Sequence, residues 1–475
     1  MLRAPLAPPP LQRTWNGRDP GAVVRGRGAD LPGIMALPIR DVTPWLPEPI
    51  WAPDATFGPT DLDEIRARTR ARVEAMDWSM IKASETVNLL ANPHGFALCG
   101  EAYVVMLEET AAHVRDHTGA SVRLRVAESM GHIENPDWMS VFSLAERFGD
   151  AAECPQIDRG TEISTRVGRF WLNRRLFAAD HIIHTHVSEM REGYLHRMVD
   201  RLYKPFGMGY TRLETRSGFH FGFGPRTGML VARAVFESDF VQERYTGTVV
   251  LETSPEGVID VDGDNDLQAL DRRISLSLFR NYATLIRLMA EVDECIAVFD
   301  GHGNTVYCYA GGIPFDVLYY ANCDFLDLDN LGMFESMLPE SFPGREEYGM
   351  GANEAIRCLV VNYMAGGVPY TYLIDKTPMI IVGRQVYDWL CQDPSNTFVS
   401  RYAAMSEDLP SAMAVATNIA KTDKVIVYDG LPGAMHVSES LGEHLLARAP
   451  AVARDVEENR LPKWLAQRDL LPAGA

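Results

Sequence analysis

Short β-branched runs alternate with longer amphipathic stretches along most of this chain, and that rhythm limits the fold more than any single motif does. Residues 61–75 place acids first and arginines after them, the charge order of a helix beginning, and residues 101–117 read as a second helix stopped by Thr118 and Gly119. The alternating run 121–126 reads as a strand, and 136–148 as a helix beginning just after Asn135. Residues 172–179 look helical, 180–186 form a β-branched strand candidate, and 272–289 a long helix. Farther on, 294–299 and 305–309 read as strands around a turn at 300–303, residues 411–419 as a helix, and 424–428 as a buried strand. Strand–loop–helix repetition of this kind predicts an α/β fold in two domains, each a mainly parallel sheet covered by helices. The expected divisions are a disordered basic leader at 1–34, an N-terminal domain at 35–290, a C-terminal domain at 291–460 and a tail at 461–475.

Composition narrows the class of partner. A chain of 475 residues with a net charge of −19 disfavours nonspecific nucleic-acid binding, which needs a basic surface. No apolar run approaches the length that crosses a bilayer, so neither nucleic acid nor membrane is an expected partner. The leader carries five arginines against Asp19 and Asp30 without periodicity, and Met35 is an alternative first residue behind it. Seven scattered cysteines include no C-x-x-C pair, which fits a reducing cytoplasm better than a disulfide framework.

Several segments invite a chemical reading. Residues 260–266 carry the alternating acids of a calcium loop, but Gly263 comes two positions early and Asp271 stands where a bidentate glutamate belongs. An acidic turn with Asp266 capping the next helix is the simpler account. Residues 222–228 are a glycine-rich turn with the third glycine one place late for phosphate binding, and Pro225 removes an amide. The stretch His181 to His220 holds five of the chain's twelve histidines. Strand alternation puts His184 and His186 on one face, near the strand end where α/β sites collect. Arg174, Arg175, Arg212, Arg216 and Arg226 lie in the same region and could meet an anion, although solvated surface arginines are commoner.

Taken in order, the pieces resemble the nickel-dependent lactate racemase family. Gly131-His132 follows a strand and precedes a helix, residues 179–186 resemble the family's strand ending in histidine, and 204–207 (Lys-Pro-Phe-Gly) resemble its lysine turn. His220 follows Lys204 by sixteen residues, the family's separation between lysine and metal-binding histidine. Residues 311–316, then 318–320, look like its second-domain glycine–proline–aspartate motif. The chain departs from the family at 92–95, Asn-Pro-His-Gly, where an Asp-x-Thr-Arg-Pro motif belongs, and at 201–203, where paired glycines are replaced by Arg-Leu-Tyr.

The resemblance implies a racemase or epimerase of a small 2-hydroxy acid that uses a nickel-pincer nucleotide, a pyridinium-derived mononucleotide carrying nickel. By that resemblance Lys204 holds the nucleotide covalently, His220 ligates nickel, and His132 and His186 are the acid/bases, with His184 and His196 as alternatives to His186. Cofactor-maturation proteins would then be partners. Two other classes remain open on the residues alone: a zinc- or iron-dependent hydrolase or lyase using the same histidines, and a non-catalytic α/β binding protein.

Overall fold

The computed structural model describes residues 1–6, 26–53, 55–128, 137–190, 200–219, 224–302, 324, 326–329, 353–365, 377–384, 387–388 and 403–471. Two sheets of mostly parallel strands, flanked by helices, make this an α/β protein. The strands are β1 (Ile34–Pro38), β2 (Thr86–Ala91), β3 (Ser121–Ala127), β4 (Ala151–Cys154), β5 (Gly160–Thr165), β6 (Gly168–Asn173), β7 (His181–Val187) and β8 (Tyr245–Ser254). They continue with β9 (Gly257–Asp264), β10 (Cys295–His302), β11 (Ile356–Ala365), β12 (Met379–Val382), β13 (Ala404–Ser406), β14 (Val425–Tyr428) and β15 (Ala434–Ser438).

One sheet has the order β4-β3-β2-β7-β8-β9, parallel except for the β8–β9 hairpin. From β2 the chain first winds outward through β3 and β4. It then returns to the other side of β2 as β7 and winds outward again. The order therefore reverses between β2 and β7, which opens a crevice at their carboxyl ends. Both strands are buried on both faces, as a parallel strand between helix layers must be. The other sheet runs β1-β15-β14-β10-β11-β12-β13, parallel from β14 to β13, and its order reverses between β14 and β10.

The helix Pro93–Thr118 covers the first sheet, kinked at Gly100, whose φ of 48° and ψ of −124° are not helical. The helix Leu267–Leu288 starts where Asp266 accepts the amides of Gln268 and Ala269, so the acidic stretch 260–266 is the end of a hairpin strand followed by a helix cap. Among the described residues no helix is long and apolar enough to cross a membrane.

Three expectations need correction. Residues 172–179 are not a helix: Gly168–Asn173 pairs antiparallel with Gly160–Thr165, because Ile163, Phe170 and Leu172 find core on one face of the hairpin. Local helix propensity yields to that burial. The leader is not disordered throughout. Arg3 exchanges backbone hydrogen bonds with Ala36, β1 is an edge strand on β15, and Arg27 with Gly28 binds the Asp300 carboxylate. Nor is the stretch after 460 a tail: Leu461–Ala466 is helical and Trp464 is fully buried, with Phe279 beneath it. The remaining boundary, near residue 290, falls between the last strand of the first sheet and β10, but β1 joins the second sheet from the far end of the chain.

Candidate active site at the first sheet's crevice

The crevice between β2 and β7 is walled by polar side chains that a parallel-sheet core otherwise excludes. Asn92 follows β2 directly and caps the next helix, its Oδ1 accepting the His94 amide at 3.0 Å. Its backbone amide donates to the Tyr103 hydroxyl at 2.9 Å, and that hydroxyl meets Thr185 Oγ1 at 2.7 Å. Thr185 in turn donates to the Leu90 carbonyl at 2.8 Å. This chain of bonds ties the end of β2 to the end of β7. Gly95 is required here: a Cβ on it would lie 2.4 Å from the Tyr103 ring.

Beyond β7, Glu189 turns inward. Nδ1 of His94 lies 3.1 Å from one Glu189 carboxylate oxygen and 3.0 Å from the other. Lys204 Nζ stands 3.6 Å and Arg201 Nη2 3.7 Å from the same carboxylate, and all four side chains are buried or nearly so. Burial opposes the charge of Glu189, but His94 and Lys204 beside it overcome that penalty and hold its carboxyl well below the usual carboxylate range. His186, the last inward histidine of β7, receives Asn92 Nδ2 at 3.3 Å on its Nδ1. Burial pushes His186 well below the ordinary imidazole value, against the opposing pull of Glu189.

Lys204 is placed by a short helical segment rather than by a Pro-Gly turn. Residues Arg201–Tyr203 form one tight 3₁₀ turn that runs directly into the helix Lys204–Gly207. Asp271, on the long helix, accepts the amides of Asp200 at 2.7 Å and Leu202 at 2.9 Å. Burial, together with the charge of Asp200, pushes Asp271 up to about 7.

Of the residues picked from the sequence, Lys204 stands 3.6 Å from Glu189, and His186, which meets Asn92, feels the charges of both. His132, His196 and His220 lie outside the described residues, as do residues 311–320. His184 is sealed under Tyr210, whose hydroxyl meets its Nδ1 at 2.7 Å, and burial pushes it down to about 3. His181 sits at the other end of β7, 2.9 Å from Glu85, away from the crevice. Arg175 and Arg212 pair with Asp158 and Glu214 on the outside, and Arg216 donates to Gln156. The glycine-rich run 222–228 falls partly on the helix Gly224–Phe236, and its first residues lie outside the described set.

Asn92, His94, Glu189 and Arg201 were not singled out from the sequence. A signal existed on one side: 188–189 follow the strand expected at 180–186, where open α/β sheets keep their chemistry, whereas the strand Thr86–Ala91 ahead of Asn92 was not expected. Among the described residues no group of three His, Cys, Asp or Glu side chains converges as a metal site. No family model matches this chain, and no curated protein matches it.

Proposed function

We propose that the crevice between β2 and β7 is the active site of an isomerase, a racemase or epimerase of a small 2-hydroxy acid, built to work with a lysine-held nickel-pincer nucleotide. The observation that carries this reading is that Lys204 stands beside Glu189 and both charges act on His186: His186 and Lys204 lie eighteen apart in sequence, and the resemblance assigns them to one reaction.

Of the residues that the resemblance gives to this group, Lys204 is described and could hold the nucleotide, while His220 lies outside the described residues. Covalent attachment through Lys204 Nζ would replace the ammonium that stands 3.6 Å from Glu189 by a neutral link. Arg201 and His94 would still balance that carboxylate once the lysine had become a neutral amide-type link. By resemblance His220 would ligate nickel as a neutral imidazole and His132 would join the acid/base set. When bound, the nucleotide supplies an electron-poor ring that accepts a hydride. The chain's own part is to orient the hydroxy acid, hold its hydroxyl proton and exclude water. The sealed polar chain from Asn92 to Leu90 gives the rigid floor that such orientation needs. Cofactor-maturation proteins, a small hydroxy acid and a reducing cytoplasm belong to this same reading, which the buried thiols Cys154, Cys295 and Cys358 accommodate.

The test is intact-mass and metal analysis of the full chain made alongside pincer-maturation enzymes. A nucleotide-sized adduct on Lys204 with nickel, lost in Lys204→Ala, is the expected result. Bare protein carrying zinc or iron moves the assignment to a hydrolase or lyase, and bare protein without metal to a binding module.

A further inference from the structure

The crevice of the second sheet, where strand order reverses between β14 and β10, changes character within one row of side chains. Ile296, Val298, Cys358, Val360, Val425 and Val427 belong to one apolar cluster on this sheet. Two residues beyond Val298, Val360 and Val427 stand Asp300, Asn362 and Asp429, each at most 1 % exposed. His436, opposite Val427 on β15, completes the polar row and is fully buried. Burying such groups opposes folding unless each is matched, and the leader supplies much of the match.

Asn362 Nδ2 donates to the Gly26 carbonyl at 2.9 Å and to Asp300 Oδ1 at 2.8 Å. Asp300 Oδ2 accepts Arg27 Nε at 2.9 Å and the Gly28 amide at 2.6 Å, while Arg27 Nη2 donates to the Asp300 carbonyl at 2.8 Å. One residue thus reads two donors of a planar fork, which an ammonium does not reproduce. Among the described residues Arg27 is the cation paired with Asp300. At the far end of the row the Leu6 amide, which can only donate, meets His436 Nε2 at 3.0 Å. His436 Nε2 therefore accepts, and Nδ1 carries the proton toward Asp429 Oδ2 at 2.5 Å. A Cβ on Gly28 would lie 2.5 Å from Val427, so the chain passes this close to β14 only as glycine.

We propose that this row is a binding site for a guanidinium-bearing ligand, which Arg27 and its glycine neighbours occupy in this chain as an intramolecular ligand. Asp300 and Asn362 form the guanidinium station, and His436, oriented by Asp429, accepts a further N–H. A free guanidino compound and an arginine of another polypeptide share this chemistry. The site is independent of the chemistry at the first crevice.

The test uses the full chain carrying Arg27→Ala, which removes the guanidinium and keeps the rest of the leader. Ethylguanidinium, the fragment that the substitution deletes, is titrated while thermal unfolding is followed. The midpoint of Arg27→Ala should rise with concentration; at ten times Kd the folded-to-unfolded ratio grows about elevenfold. Wild type, whose site is filled, and the double variant Arg27→Ala/Asp300→Asn should show no rise, and ethylammonium should not replace ethylguanidinium. The capped tripeptide acetyl-Gly-Arg-Gly-amide separates the two sources. Action at lower concentration than ethylguanidinium assigns the site to peptide arginine, and action only at higher concentration assigns it to a free guanidino compound. No rise in Arg27→Ala, or an equal rise in wild type or in the double variant, overturns the proposal. If Arg27→Ala does not fold, recovery of folded chain on refolding with ethylguanidinium but not with ethylammonium supports it, and no recovery overturns it.

Discussion

Glu189 shows how much one residue can hold. It is a fully buried carboxylate with a histidine, a lysine and an arginine around it. Removing one member of such a buried ionic group strands the others without counter-charge, a loss of about 3–5 kcal/mol. Glu189→Ala should therefore lower the unfolding free energy from urea titration by an amount of that order, whereas Glu162→Ala, which removes an exposed partner of Arg169, should change it by less than about 1 kcal/mol. Equal effects would mean that Glu189 is not the hub described. Glutamate 189 was invisible in the sequence for a physical reason: a single acid in Ser-Glu-Met carries no periodicity, and only the return of β7 beside β2 sets it against His94. His186, in contrast, could be picked out as a strand-end histidine, and Lys204 through the family resemblance.

Elements settle where those residues stand. The turn that presents Lys204 is fastened from the outside by Asp271, on a helix whose start at Asp266 was legible as a cap. In Asp271→Asn one side-chain oxygen remains to accept two amides, and leaving one unpaired costs about 1–3 kcal/mol. The pH dependence has a definite sign. Burial raises Asp271 from 3.8 to about 7 in the folded chain, so its contribution to stability is complete below pH about 4 and fades as pH rises through about 7. The stability difference between wild type and Asp271→Asn should accordingly be larger at pH 5 than at pH 8, read from urea midpoints at both values. A constant difference would place Asp271 in an ordinary, solvated state. The C-terminal helix makes a second case. Trp464 is fully buried, and Arg468 lies 4.7 Å above the Phe279 ring while donating to the Trp464 and Leu326 carbonyls. Trp464→Ala should cost about 3–5 kcal/mol in thermal or urea unfolding, whereas a dispensable tail would lose nothing. The sequence hid this helix because it is short and its apolar residues are few; they gain their place only against Phe279.

On the scale of the whole molecule, both sheets reverse their strand order once among the described residues, and the two crevices are used differently. The first gathers the polar cluster described above. The second, between β14 and β10, is filled by the chain itself: Arg27 Nε and the Gly28 amide bind Asp300, and Gly28 lies so close to Val427 that an added Cβ would approach it to 2.5 Å. Burial pushes Asp300 up to about 6 despite the Arg27 guanidinium beside it. A chain that begins at Met35 lacks that cation. It should be less stable than the full chain, and by more at pH 8, where Asp300 must ionise without its counter-charge and with only the Asn362 amide beside it, than at pH 5. Equal stability of the two chains at both pH values would show that residues 26–30 contribute nothing to the second sheet.

What the sequence determined by itself was what local physics dictates: β-branched runs and amphipathic periods gave the α/β class, four of the interior strands (β3, β7, β10 and β14) and several long helices, but not β2, β8, β11 or β12. The helix cap at Asp266 and the strand-end position of His186 belong to the same kind of information. Only the tertiary structure decided the rest. Which strand lies beside β2 is a matter of winding, and that choice makes a site of Asn92, His94, Glu189 and Arg201. Likewise, burial against distant segments turned residues 168–173 into a strand, drew β1 into the far sheet and folded the C-terminal helix onto Phe279, since in each case the stabilising surface comes from residues remote in the chain.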